Sequence, residues 1–398
     1  MRECAKHTVV HNLCQNSLKD AAKCCMIVLH NAEGKRGRAM DGEYSVEKLT
    51  QILERAREAG ASDIHMAPGM QIMFRIDGAL VQMSEERIEP YDIERLIEPM
   101  LSDTQKSELE RAGELDFAYS VAGFNRLRVN VFRQRGTYAM TIRLLSATIP
   151  SPESLGIPQS IVDLTAKKRG LVIVTGTTGS GKSTTLASLI GVIAQNYSKS
   201  IITLEDPIEY LHQHNKSMVI QREIGYDSMT YASALRSALR QDPDVILIGE
   251  MRDTETISMA INAAETGHLV FSTLHTNNVV AAVERMIDVF PPHKQQQIRV
   301  QLSGALKGVV AQQLLPKQHA SGRVAAFEVM LSNQNVSNLI RENKLHHLQT
   351  LLQSSRKDGM QIMDDAIYDL YLKSEISSDT AISYAQDASG MKEKVQLF

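Results

Sequence analysis

The sequence predicts an α/β protein with three parts: a nucleotide-binding core of parallel strands and helices, an antiparallel α+β domain before it, and a helical C-terminal region after it. Three observations carry that prediction. Gly176, Thr177, Thr178, Gly179, Ser180, Gly181, Lys182 and Ser183 fit the G-x-x-x-x-G-K-[ST] phosphate-loop pattern, with an apolar run before them and helical spacing after. Apolar runs at 171–175, 200–205, 245–250 and 269–273 alternate with helical stretches, as strands buried on both faces do. Ahead of them, short runs separated by turn residues read as antiparallel strands.

The 398 residues allow two or three domains, and 43% hydrophobic residues suffice for a sizeable core. A net charge of −3 argues against a broad nucleic-acid-binding surface. No apolar run approaches the roughly 18 residues of a membrane span, so any membrane association is expected to run through a partner. The four cysteines are Cys4, Cys14, Cys24 and Cys25, which leaves the main body without a disulfide or a Cys-based zinc site and fits a reducing cytoplasm. Residues 1–39 lack a clear period and hold the basic stretch Lys35, Arg36, Gly37 and Arg38. They are expected to be a poorly ordered tail; a sharper alternative is that they are not native sequence and that translation starts at Met40, which N-terminal mass spectrometry tests.

Taken in order, the apolar residues Val46, Leu49, Ile52, Leu53 and Ala56 predict a helix over 45–58, with Gly60 as its terminator. Strands follow at 62–66, 70–76 and 79–83, the last two joined by the turn dipeptide Asp77-Gly78. A helix at 91–100 and strands at 115–121, 125–133 and 137–144 complete the first domain, 40–146. Pro150, Pro152, Gly156 and Pro158 break any regular element, which places a linker at 147–158. The nucleotide-binding core then spans 159–335, and 336–398 reads as mostly helical.

The phosphate loop has a mechanism behind its pattern. Its glycines let the backbone wrap an anion, and the following helix, starting at Ser183 and Thr184, offers its N-terminus. Lys182 is expected on the β- and γ-phosphates of ATP and the Ser183 hydroxyl on Mg²⁺. The four fixed positions arise by chance in roughly one chain of this length in fifty to a hundred. The run Val245, Ile246, Leu247, Ile248, Gly249, Glu250 ends a central strand in an acid that can orient and deprotonate water. Read alone, it is as well explained by a buried strand with a solvated acid; the neighbouring phosphate loop favours the catalytic reading. Glu205, in Ile202–Glu209, ends another apolar strand and is a candidate for the Mg²⁺ shell, against the alternative of a solvated acidic loop. His268 and His275 flank the strand 269–273 and both are catalytic candidates; His275 sits at the C-terminal end, where open α/β sheets bind ligands, and is placed to donate to a phosphate oxygen. Arg126, Arg128, Arg133, Arg135 and Arg143 form a cluster that is either a solvated basic face or a source of arginine for a nucleotide across a domain or subunit boundary.

In this order the motifs resemble the secretion-ATPase superfamily: 202–210 its aspartate box, 245–253 its Walker B segment and 267–276 its histidine box. From about residue 40 onward the chain is most similar to the type IV pilus retraction ATPases, the PilT group. Gly60-Ala61-Ser62-Asp63-Ile64-His65 and Phe74-Arg75-Ile76-Asp77-Gly78 are typical of that group's first domain, and the cysteine-bearing insert of assembly ATPases is absent after Leu315-Pro316. The stretch Asn335-Val336-Ser337-Asn338-Leu339-Ile340-Arg341-Glu342 resembles the group's A-I-R-N-L-I-R-E motif, departing from it at Asn335, Val336 and Ser337.

The resemblance implies a PAS-like first domain, a RecA-like core and a homohexameric ring. It further implies catalytic roles for Glu250, Glu205 and His275, nucleotide contacts by Arg128, Arg135 and Arg143, and an inner-membrane pilus platform protein as partner, met at the cytoplasmic face of the membrane. Two alternatives stay open: another ring ATPase of the superfamily, for extension, secretion or conjugation, and a nucleotide-sensing ring subunit without mechanical work.

Overall fold

The computed structural model describes residues 36–396 apart from 77, 122–123, 125 and 145–147. The expectations for the stretch before residue 36, and for Asp77 in its turn, therefore lie outside the described residues.

Two sheets, each with its own core, organise the chain. The first begins with helix α1 (Arg36–Glu58), which starts nine residues earlier than its apolar period announced. Strands β1 (Asp63–Met66), β2 (Met73–Ile76) and β3 (Ala79–Gln82) follow, with Gly78 at φ 84° in the β2–β3 turn. Next come helices α2 (Pro90–Ile97) and α3 (Asp103–Ala112) and strands β4 (Glu114–Ser120), β5 (Arg126–Gln134) and β6 (Thr137–Leu144). The strands run β3-β2-β1-β6-β5-β4, every neighbouring pair antiparallel. Leu49, Leu53, Ile64, Phe74, Ile93, Val129 and Ile142 close one apolar face with the helices on it. Helix α3 escaped the sequence reading because it buries Leu109 and little else, so no apolar stripe marks it.

Residues 152–156 form turns, and the segment packs on the second core. Ile157 is buried there, and its N–H donates to the Pro152 carbonyl at 2.9 Å. A short helix, α4 (Gln159–Val162), leads into the second sheet.

Its strands β7 (Gly170–Thr175), β8 (Ser200–Glu205), β9 (Met218–Glu223), β10 (Val245–Ile248) and β11 (Leu269–Leu274) are parallel. A hairpin, β12 (Leu306–Pro316) and β13 (Arg323–Leu331), extends the sheet beyond β7, giving the order β13-β12-β7-β11-β10-β8-β9. All six residues of β7 and all six of β11 are buried, which is why these strands read as unbroken apolar runs. Helices α5 (Lys182–Asn196), α6 (Tyr231–Ala238), α7 (Thr254–Thr266), α8 (Val279–Asp288) and α9 (Pro292–Ala305) belong to this core.

The C-terminal helices are α10 (Gln334–Arg341), α11 (Leu348–Ser354), α12 (Met363–Leu372), α13 (Ser378–Tyr384) and α14 (Ala388–Gln396). Val336, Ile340, Leu348, Met363, Ile367 and Val395 share one apolar cluster with Leu171, Ile246 and Val270 of the sheet. This region is thus built onto the sheet's own core. No described helix is long and apolar enough to cross a membrane.

Candidate active site

Sheet topology concentrates the site. In parallel β7, β8, β10 and β11 the chain emerges at one edge, so the residues just past each strand end converge there. After β7 comes the phosphate loop, with Gly176, Gly179 and Gly181 at φ 151°, 78° and 88°. Two of these glycines also meet a space limit. A Cβ on Gly176 would lie 2.5 Å from the Gln312 carbonyl oxygen, and one on Gly181 2.8 Å from Gln312 Nε2. Gln312, on β12, is itself fixed by the Thr185 hydroxyl, which donates to Oε1 at 2.8 Å. The hairpin is therefore the wall that shapes the loop from behind.

Lys182 opens α5 and is 8% exposed. Its ammonium donates to the carbonyls of Gly176 and Thr177, both at 2.9 Å. Burial lowers its pKa, while Glu250 and Glu209 pull the other way. Beside it, the Ser183 side chain is exposed on the first turn of α5, and the hydroxyls of Thr184 and Tyr210 share a hydrogen bond at 2.9 Å. The buried Ser180 Oγ has no partner within the protein. Thr177 and Thr178 are exposed on the outer curve of the loop.

The acids and the histidine face this loop across a cleft of about 390 Å³, lined among others by Lys182, Ser183, Glu205, Asp206, Glu250, His275 and Arg128. Glu250, two residues beyond β10, is held by Arg252 Nε at 2.7 Å and lies 3.3 Å from His275 Nε2. Glu205 at the end of β8 accepts from the Thr203 hydroxyl at 2.6 Å and Gln221 Nε2 at 3.1 Å. Burial nevertheless raises its pKa. Asp206 is pushed up as well, by burial and then by Glu250.

The other predicted residues scatter. Arg128 reaches the cleft from the first sheet, held by Asp116 in a bidentate pair with its shortest contact at 2.7 Å. Arg143 stands opposite Arg128 in the β5–β6 ladder, and like charges in that register repel. It turns instead to Asp63, with Nε 2.8 Å from Oδ1. Arg135 sits at φ 50° in the exposed β5–β6 turn, outside the lining of its own chain's cleft.

His268 requires a correction. It precedes β11, so it lies at the opposite edge of the sheet from His275, with its ring Nδ1 3.0 Å from the Ala263 carbonyl at the end of α7. Flanking a strand on both sides places two residues at opposite sheet edges, and only the second can face the phosphate loop.

The structure adds residues that the sequence did not single out: Asp206, Glu209, Tyr231 and Arg252 on the cleft wall, and Gln312 behind the loop. Tyr231 is half-buried in that wall, and burial raises its pKa. For Arg252 a signal existed, since it follows Glu250 by two residues. None existed for Gln312, which comes from a strand far along the chain.

A family described as Type II/IV secretion system protein matches residues 39–374. The chain belongs to this family. It is 40% identical over 333 residues to the type IV pilus retraction ATPase PilT of Pseudomonas aeruginosa, across 84% of this chain and 96% of that one. To the type IV pilus ATPase PilU of the same organism it is 39% identical over 351 residues, across 88% and 91%. A crystal structure of the pilus retraction motor PilT with bound ADP matches with a TM-score of 0.81 and 44% identity, over 87% of this chain and 98% of that one. The RecA-like P-loop core, the PAS-like first domain and the helical C-terminal region are thus the fold of a known ATPase family. The chain is a P-loop ATPase.

Proposed function

We propose that the chain is the ATP-hydrolysing subunit of a hexameric motor for type IV pilus retraction, acting at the cytoplasmic face of the inner membrane on a platform protein. The observation that carries the hydrolytic part is the Glu250 carboxylate, fixed by Arg252 at 2.7 Å and near His275, facing Lys182 across the cleft. The names of the relatives at about 40% identity support the retraction part.

In this reading ATP lies along the phosphate loop. Lys182 exchanges its loop carbonyls for phosphate oxygens, a stronger charge-assisted pairing. Glu250 orients a water and takes its proton, and His275 stands where it can donate to the γ-phosphate. Arg128 approaches from the first domain to offset the charge that develops in transfer. Contacts to γ-phosphate favour closure of the first domain on the core, and their loss after hydrolysis releases it. We take 40–146 as the moving lid, 147–158 as its hinge, 159–335 as the engine and 336–398 as the part that passes movement outward.

The residues fit Mg²⁺. The Ser183 hydroxyl and the carboxylates of Glu205 and Asp206 are hard oxygen donors on one cleft. Among the described residues no group of three or more His, Cys, Asp or Glu forms a metal site by itself. That suits an ion bound largely through phosphates and water. Burial raises the Glu205 pKa, and a cation beside it would lower it again. When bound, the ion would neutralise charge between the β- and γ-phosphates.

Steady-state phosphate release tests the motor against a nucleotide sensor, because a sensor binds ATP with negligible turnover. A deletion strain tests direction: retraction predicts excess surface pili and no twitching. Cells without pili would instead assign the chain to extension or secretion.

A further inference from the structure

We propose that the Arg126–Glu223 ion pair is a positioning device for ATP hydrolysis, setting Arg128 and the acidic turn after β8 over the cleft at the same time. The pair joins the two sheets: Arg126 opens β5 of the first and Glu223 closes β9 of the second. Arg126 Nη2 lies 2.5 Å from Glu223 Oε2, with side-chain exposures of 19% and 8%. A pair this sheltered is weakly screened by salt and keeps its geometry.

Each partner is one step from the cleft. On β5, Leu127 and Val129 point into the first core, so strand alternation puts Arg126 and Arg128 on the same face. Fixing Arg126 on the core therefore fixes how far Arg128 extends over the nucleotide. On the other side, the same Glu223 oxygen accepts the N–H of Ile208 at 3.1 Å. Ile208 is buried in the turn that presents Asp206 and Glu209 to the cleft.

Glu223 is itself rigidly placed. It pairs with Glu205 in the β8–β9 register, and its N–H donates to Asp227 Oδ2 at 2.8 Å. One carboxylate oxygen thus ties the first domain's arginine strand and the core's acidic turn to a single point. Neither Arg126 nor Glu223 lines the nucleotide cleft, so both act through other residues.

The inference takes the ATPase reaction as given, and the Lys182→Ala variant marks its failure separately by losing nucleotide binding. Arg126→Ala and Glu223→Gln are expected to lower kcat at least about tenfold while ATP affinity, read with a fluorescent ATP analogue, changes less than about threefold. A merely structural role would move stability and leave that split absent. Glu223→Gln keeps an acceptor for Ile208 and removes only the ion pair, so Glu223→Ala should be the more severe. The double variant Arg126→Ala/Glu223→Gln should be no slower than the worse single one. Should Arg126→Ala fail to fold, the near-isosteric Glu223→Gln carries the test alone. Turnover within twofold of the parent in Glu223→Gln, or equal losses of kcat and affinity, overturns the proposal.

Discussion

Glu250 and Glu328 are both acids of the nucleotide-binding core, one just past the central strand β10 and one on the edge strand β13, and their surroundings give them different work. Glu250 meets a cation at 2.7 Å and faces the cleft. Its replacement by alanine should abolish phosphate release, as should Lys182→Ala, but only the lysine variant should also lose ATP binding; parent-like phosphate release in either would overturn the site assignment. Glu328 on β13 is 2% exposed, and its Oε2 accepts the N–H of Val279, the first residue of α8. Burial, with Asp364 adding repulsion, pushes its pKa up to about 7 from 4.5. A raised folded pKa means that the stability it contributes is complete below about pH 4.5 and is lost as pH rises through about 7. From about pH 4 to about pH 8 the parent should lose on the order of 2–3 kcal/mol more than Glu328→Gln, measured by urea denaturation. Equal losses in both proteins would show that Glu328 does not titrate in this range. Residue type alone could not separate these acids, just as it could not separate His268 from His275. Their positions relative to β11 separate the histidines, since His268 precedes the strand and His275 follows it.

Elements were legible where burial is two-sided and obscure where it is not. Strands β7, β8, β10 and β11 stand out because their neighbours cover both faces. Edge strand β9 does not, since Met218 and Ile220 are 52% and 36% exposed and polar residues interrupt the run. The β12–β13 hairpin was missed because Lys307, Gln312 and Gln313 break its apolar pattern, yet it forms the back wall of the phosphate loop. Nothing local in the loop motif points to that wall, which makes the first glycine a test of it. Gly176→Ala would place a methyl 2.5 Å from the Gln312 carbonyl at φ 151°. Backbone strain of about 1–3 kcal/mol corresponds to a roughly 10- to 100-fold loss of ATP affinity, readable by titration calorimetry. Affinity within twofold of the parent would show that the loop does not need this contact. Helix α10 is a second case in which an element carries a local departure. Where the pilus-retraction motif has arginine, Ser337 donates its hydroxyl to the Ser303 carbonyl on α9 at 2.9 Å, so the substitution binds two helices together.

At the scale of the whole molecule, the arginines divide by where they can reach. Arg128 lines its own chain's cleft, whereas Arg143 is 60% exposed at its side chain and Arg135 lies on a surface turn. A surface arginine contributes to hydrolysis only if a neighbouring subunit brings a nucleotide to it. The proposed ring therefore predicts a concentration dependence that an independent monomer lacks. Phosphate release per chain should climb as dilute protein is concentrated through the range in which analytical ultracentrifugation shows assembly. Arg143→Ala takes a partner from the Asp63 carboxylate, whose side chain is 9% exposed and which keeps the Ser62 hydroxyl, so a loss of about 1–3 kcal/mol is expected and urea denaturation checks that the fold survives. If the residue serves a neighbour, that variant should assemble normally but show little of the climb, while its dilute activity matches the parent's. A parent whose activity per chain is flat across assembly would place every hydrolytic group within one subunit, and the arginine surface would then have no catalytic part in the ring.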